Sequence, residues 1–175
     1  MPDEFKDAVE KKVLAIGKEH SGAEPSVLNT ILAYEKFSPK PYPDFKQTSI
    51  GYGTKAVEGE KEIDEPTARK RAIEEINKNR KIILGFAKEK GYNWTPSQIN
   101  ALISFRYNIG NIGELTAGGT RSDAEIAKMM PLYYNVTVDG VKKKNAGLVK
   151  RRNKETALFK RGMEEKSGVD IVRGE

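Results

Sequence analysis

The chain of 175 residues has no cysteine, one histidine and one tryptophan. Without cysteine there is no disulfide and no thiol nucleophile. With His20 as the sole imidazole, a His-rich metal site is impossible, as is a Ser-His-Asp triad built on any other histidine. His20 stands in a Glu-His-Ser-Gly break with no metal-ligand pattern around it, so it reads as a solvent-exposed side chain. Long apolar runs are missing too. No stretch of 18 apolar residues occurs, so no transmembrane helix is expected. Met1-Pro2-Asp3-Glu4-Phe5-Lys6 lacks the apolar core of a signal peptide, which gives a cytoplasmic start as the expectation. No internal repeat or low-complexity linker is present.

Apolar residues make up 37% and charged residues 32%, which is polar for a globular chain but outside the disordered range. The length suits one domain, or one domain with two lobes, and is enough to bury a core. A net charge of +6 and a pI near 9.3 favour an anionic partner: nucleic acid, anionic lipid or a bacterial wall.

Helical spacing of Phe5, Val9, Val13 and Ile16 predicts an amphipathic helix over 4–19, followed by a break at 20–25. Packing of that helix onto the domain, without stable membrane insertion, is the expectation, because its apolar stripe is narrow. A short helix is expected from Ser26 to about Lys36. Pro39, Pro41 and Pro43 then forbid helix, and residues 44–63 read as short strands and turns. Asp64 and Pro66 mark a helix start, with an end at Gly91 and Ile73, Ile76, Ile82, Ile83 and Phe86 inward. Thr95-Pro96 opens a helix that is apolar on more than one side and ends near Gly110. Ser122 to Glu125 is a capping box. Residues 136–141 read as a hairpin with an Asp-Gly turn, and a last helix runs from about Gly147 to Lys160, stopping before Gly162. The organisation expected is an N-terminal helix and linker at 1–25, a domain at 26–166 and a loose tail at 167–175.

The chemistry lies between Glu35 and Thr54. Glu35 closes a helix, and Asp44 follows nine residues later beyond the prolines; Thr48, Ser49 and Gly51-Tyr52-Gly53 come next. Two carboxylates facing a sugar suit glycosidic cleavage: one protonates the leaving oxygen, the other stays ionised. Phe37 and Tyr42 can desolvate a carboxyl and raise its pKa. By spacing alone the pair is a weak signal, because 25 of the 175 residues are acidic. Gly51-Tyr52-Gly53 is not a phosphate loop, since no Lys-Ser/Thr follows it.

Context strengthens the pair. The segment resembles the active-site segment of phage-type lysozymes, glycoside hydrolase family 24: a Glu, eight residues, an Asp, then a hydroxyl before Ile-Gly-Tyr-Gly. Glu35, Asp44, Ser49 and Ile50-Gly51-Tyr52-Gly53 fall on that pattern. Residues 101–110, ending Asn108-Ile109-Gly110, resemble the family's core helix. Gly147-Leu148 with Arg151, Arg152 and Glu155 resembles its arginine helix. Together these cover roughly residues 27–162.

The resemblance implies an α+β, mainly α, lysozyme-like fold, with a small sheet-containing lobe and a larger helical lobe around a glycan-binding cleft. It implies a muramidase acting in host cell lysis, starting in the host bacterial cytoplasm and released to the wall by another factor. Glu35 would be the proton donor. Asp44 would activate water or stabilise the oxocarbenium-like state. Ser49, or Thr48 in its place, would hydrogen-bond the attacking water. Arg151 would hold Glu35, while Tyr52 and Asn108 would support the site. Inversion is the favoured stereochemistry. No cofactor or metal is implied, and the expected partner is peptidoglycan, met by a monomer. Three departures stand out. Ser49 lies one residue closer to Asp44 than the family pattern, Thr54 stands where many relatives carry His, and Tyr133-Tyr134 occupies a region that often holds Trp. Two other readings compete: a wall-binding scaffold without activity, and a basic helical nucleic-acid-binding protein, which lacks a recognisable motif here. Lys142-Lys143-Lys144 reads as a solvated hairpin end.

Overall fold

The computed structural model describes residues 27–44 and 47–173, with side chains up to residue 167. The helix expected at 4–19, the break at 20–25 and His20 lie outside the described residues. The chain divides into two compact units, with the division between Lys78 and Asn79.

The first unit begins with helix α1 (Val27–Glu35), which buries Val27, Leu28, Ile31 and Leu32 on one face. Lys36 ends it in a left-handed conformation (φ 55°), its amide donating to Leu32 O at 3.0 Å. Strand β1 (Ser38–Pro43) follows and pairs antiparallel with β2 (Thr48–Gly51), which pairs with β3 (Thr54–Lys55). The sheet therefore starts earlier than residue 44. The prolines that exclude helix are compatible with β1 because it is an edge strand, where a missing amide donor breaks no ladder. The register sets Tyr42 opposite Ser49 and Ser49 opposite Lys55.

Helix α2 (Glu65–Lys90) starts as expected: Asp64 Oδ1 accepts from the Thr67 amide at 2.8 Å, and Pro66 lies in the first turn. Gly91 stops it at φ 78°. Ala68, Ala72, Ile73, Ile76, Ile83 and Ala87 form its buried stripe. Ile82, expected inward, is exposed, because at about 100° per residue it falls roughly a third of a turn away from that stripe. Phe86 is half-buried.

In the second unit, helix α3 (Pro96–Ile109) carries a Thr95/Gln98 capping box and ends at Gly110 in a left-handed conformation. Residues 97–105 are all buried, which makes α3 the core helix of its unit. Helix α4 (Asp123–Met129) has the expected Ser122/Glu125 capping box, and a 3-10 turn (Met130–Leu132) follows. Strands β4 (Asn135–Val138) and β5 (Val141–Lys144) form the expected hairpin, with Asp139 and Gly140 at positive φ in its turn. Its three lysines are exposed.

Helix α5 (Ala146–Arg173) departs from expectation. It passes through Gly162 and continues where a loose tail was expected. Gly162 is there for space rather than as a stop: a Cβ on it would stand 2.3 Å from Thr95 Oγ1 and 2.9 Å from the Gln98 amide nitrogen. The fold is α+β and mainly helical, with its three-stranded sheet in the first unit.

Candidate active site

Glu35 is the last residue of α1 and is half-buried. The turn after β2 is shaped to receive it. A Cβ on Gly53 would lie 2.8 Å from Glu35 Oε2, so a larger residue there would push the carboxyl from its place. Gly53 also has φ 77°, which glycine adopts without strain. Gly51 (φ 66°) faces α2, where a Cβ would stand 2.8 Å from Ala68 Cβ. Between them Tyr52 is 8% exposed, donates its hydroxyl to Glu65 Oε1 at 2.8 Å, and packs against the Phe37 ring at 5.7 Å. Tyr52 thus ties the turn to the start of α2. Thr54 is buried, and its hydroxyl donates to Ile50 O at 3.3 Å within the same turn.

Asp44 follows β1 and is exposed. Its amide donates to Gln47 O at 2.8 Å, closing the turn into β2. Ser49 is 0% exposed, and its Oγ donates to Asp44 Oδ2 at 3.3 Å. Gln47 Nε2 donates to Ser49 Oγ at 3.2 Å. Thr48 is exposed, one residue away on a strand, and so points to the opposite face. Tyr42, opposite Ser49 on β1, completes the group. Burial, then the negative charges of Glu35 and Asp44, raise its phenol above the usual value, and a hydrogen bond with Ser49 works the other way. One phenol therefore feels both carboxylates.

Sequence reasoning placed Glu35, Asp44 and Ser49 in this group. It took Tyr42 only as a wall and missed Gln47. The available signal was the two-residue spacing of Gln47 and Ser49, which places them on one side of an extended chain.

In the second unit Arg151 is 4% exposed; its Nε donates to Glu155 Oε1 at 3.0 Å and its Nη2 to Ser104 O at 3.0 Å. Arg152 is fully buried, donates through Nη2 to the same Glu155 oxygen at 3.0 Å, and lies 4.9 Å over the Phe105 ring. Ser104 Oγ donates to Glu155 Oε1 at 2.7 Å. Asn108 is exposed in the last turn of α3. Among the described residues no group of three or more acidic or histidine side chains could hold a metal, and no helix is long and apolar enough to cross a membrane.

The phage lysozyme family model matches residues 32–155. Three solved structures share the fold. The muramidase domain of SpmX from Asticaccaulis excentricus superposes with a TM-score of 0.63 at 21% identity, covering 80% of this chain and 97% of that one. The endolysin of Escherichia coli O157:H7 phage FAHEc1 gives 0.56 at 23%, covering 80% and 94%. The active form of the P1 phage endolysin Lyz gives 0.61 at 18%, covering 90% and 94%. A search of curated proteins returned no match. The family match takes in Glu35, Asp44 and Ser49 as well as the arginine helix, and the chain belongs to the phage lysozyme family.

Proposed function

We propose that this chain, a peptidoglycan hydrolase and muramidase by its family, cleaves the β-1,4 bond between N-acetylmuramic acid and N-acetylglucosamine with Glu35 as general acid and Asp44 as its ionised counterpart. The observation that carries the assignment is the Glu35 carboxyl seated against Gly53, with Asp44 acting on the same Tyr42 phenol.

The chemistry follows from two carboxyl groups in different states. Protonated Glu35 gives its proton to the glycosidic oxygen as the C–O bond breaks. Positive charge builds at the anomeric carbon, and Asp44, ionised, stabilises it and takes the proton of the attacking water. The phenol of Tyr42, raised by burial and then by the charges of the two acids, stays neutral at neutral pH and so remains a hydrogen-bond donor.

Ser49 is assigned to the reacting group, and Tyr52 to its support. The net charge of +6 draws the enzyme to a polyanionic wall. The reading includes a monomer that starts in the host bacterial cytoplasm, reaches the wall through another factor, and needs neither nucleic acid nor a cofactor.

The test is product chemistry. After digestion of purified sacculi and borohydride reduction, new reducing ends should be N-acetylmuramitol, and a Glu35→Gln chain should produce none above background. Reduced N-acetylglucosamine ends, or no new ends with wall binding intact, would contradict the proposal.

A further inference from the structure

We infer that the hairpin of β4 and β5 is a docking surface for an anionic lipid bilayer, on which Lys142, Lys143 and Lys144 meet the headgroups while Val138 and Val141 enter the boundary between headgroups and acyl chains. The contact is peripheral and independent of the chemistry assigned to Glu35.

Among the described residues seven large apolar side chains are exposed, and three of them, Leu132, Val138 and Val141, fall within residues 132–141. Val138 is 42% and Val141 57% exposed. The two are cross-strand partners, so they form one apolar pair next to the turn. Alternation along the strands sets Val136 and Lys143 on the same face as this pair, and Asn135, Thr137, Lys142 and Lys144 on the other. A two-stranded hairpin has no core of its own to cover the valines. Exposed apolar side chains in a group mark a contact surface, where scattered ones do not.

The charge around the pair is almost all of one sign. From residue 126 to residue 154 there are eight basic residues and one acidic residue, Asp139 in the hairpin turn. Arg151 and Arg152 are engaged by Glu155, and the six lysines of the stretch are exposed. The base of the hairpin is fixed. The Asn145 amide donates to Tyr134 O at 2.9 Å, Lys144 Nζ lies 5.2 Å over the Tyr134 ring, and the Tyr133 ring meets that of Phe105 edge-on at 5.1 Å. The surface is therefore presented with little ordering left to do on binding. Nucleic acid or a hydrated wall polymer would satisfy the lysines and leave the valines in water. A bilayer with anionic headgroups takes both: the ammonium groups stay at the phosphates while their stems lie along apolar surface, and the valines leave water at the boundary. Each lysine near such a surface adds about fivefold to partitioning. The Asp139 carboxylate opposes it by like charge.

The experiment is sedimentation of the full chain with vesicles of phosphatidylglycerol and phosphatidylethanolamine, and with vesicles of phosphatidylcholine alone, at about 0.1 M salt. Wild type should pellet with the anionic vesicles and not with the neutral ones. Lys142→Gln, Lys143→Gln and Lys144→Gln combined should lower the partition coefficient about 100-fold. Val138→Thr with Val141→Thr, which keeps branched side chains in the strands, should lower it about threefold or more. Asp139→Asn should raise it, since Asn-Gly serves the same turn. Hydrolysis of soluble, uncross-linked glycan strands should be unchanged in all three. Glu35→Gln should bind vesicles as wild type does, so this inference and the site assignment fail separately. Wild type that pellets with neither vesicle, or equally with both, would overturn the inference. Unchanged vesicle binding by the lysine variant would do the same, as would unchanged binding by the valine variant, which would leave a bare cation cluster. If the lysine variant loses purified sacculi and keeps vesicles, the partner is the wall. If the hairpin variants lose activity on soluble strands, the hairpin belongs to the glycan site. Either result overturns the docking to lipid.

Discussion

Glu35 and Gly53 are matched: the carboxyl of one occupies the space where a side chain on the other would begin, 2.8 Å from the ideal Cβ position. The helix-terminal acid and the Gly-Tyr-Gly turn are therefore a single device. Gly53→Ala should displace the carboxyl and add left-handed backbone strain of about 1–2 kcal/mol. The expected result is a wall-clearing rate at least about tenfold lower, with a cooperative melting transition retained. Unchanged clearing by a folded Gly53→Ala chain would show that Glu35 need not sit where it does.

Gly162→Ala opposes helix propensity with packing. In an exposed helix interior, alanine would gain about 1 kcal/mol over glycine. Here its methyl would press on the Thr95 hydroxyl and the Gln98 amide, the two partners of the α3 cap. Urea unfolding should show a net loss of about 2 kcal/mol or more. A gain would mean that α5 does not approach α3 this closely.

Glu155 is the shared acceptor for two buried arginines and Ser104. Glu155→Ala would leave the Arg151 and Arg152 charges in the interior without that counter-ion, at a cost of about 3–5 kcal/mol. Chemical denaturation should show this as a lower midpoint. A change under about 1 kcal/mol would place the compensation for those charges elsewhere.

Arg71 holds Glu60 through two hydrogen bonds, 2.9 and 2.7 Å, and the Val57 amide adds a third at 3.0 Å. The Arg71 bonds, then that of Val57, lower the Glu60 pKa below its ordinary 4.5. The resulting stabilisation is present above that value and lost as pH falls through the lower folded value. The melting temperature of Glu60→Gln should therefore lie below wild type at about pH 6, and the gap should narrow as the pH falls into acid. A gap that persists or widens in acid would reverse the sign of this linkage.

Much of the fold was legible because its punctuation is local. Asp64-Pro66, Thr95-Pro96, Ser122 and Asp139-Gly140 each act on amides within a few residues, so sequence alone locates them. Gly162 was misread because what fills the space beside it comes from α3, more than sixty residues away in the chain, and a glycine near a helix end looks the same whether it caps or packs. The prolines of β1 ruled out helix, but its place at the sheet edge depends on pairing. In the site, the acidic pair and Ser49 followed from the family pattern. The place of Tyr42 beside Ser49 depends on the pairing of β1 with β2, which no local spacing contains.

The central claim is that Glu35 is the general acid. The direct measurement is clearing of outer-membrane-stripped Gram-negative cells by wild type and by Glu35→Gln, which is nearly isosteric but has no acidic proton to give. The account predicts rapid clearing by the first and a loss of roughly 100-fold or more for the second. Equal clearing by both would place the chemistry elsewhere and contradict it.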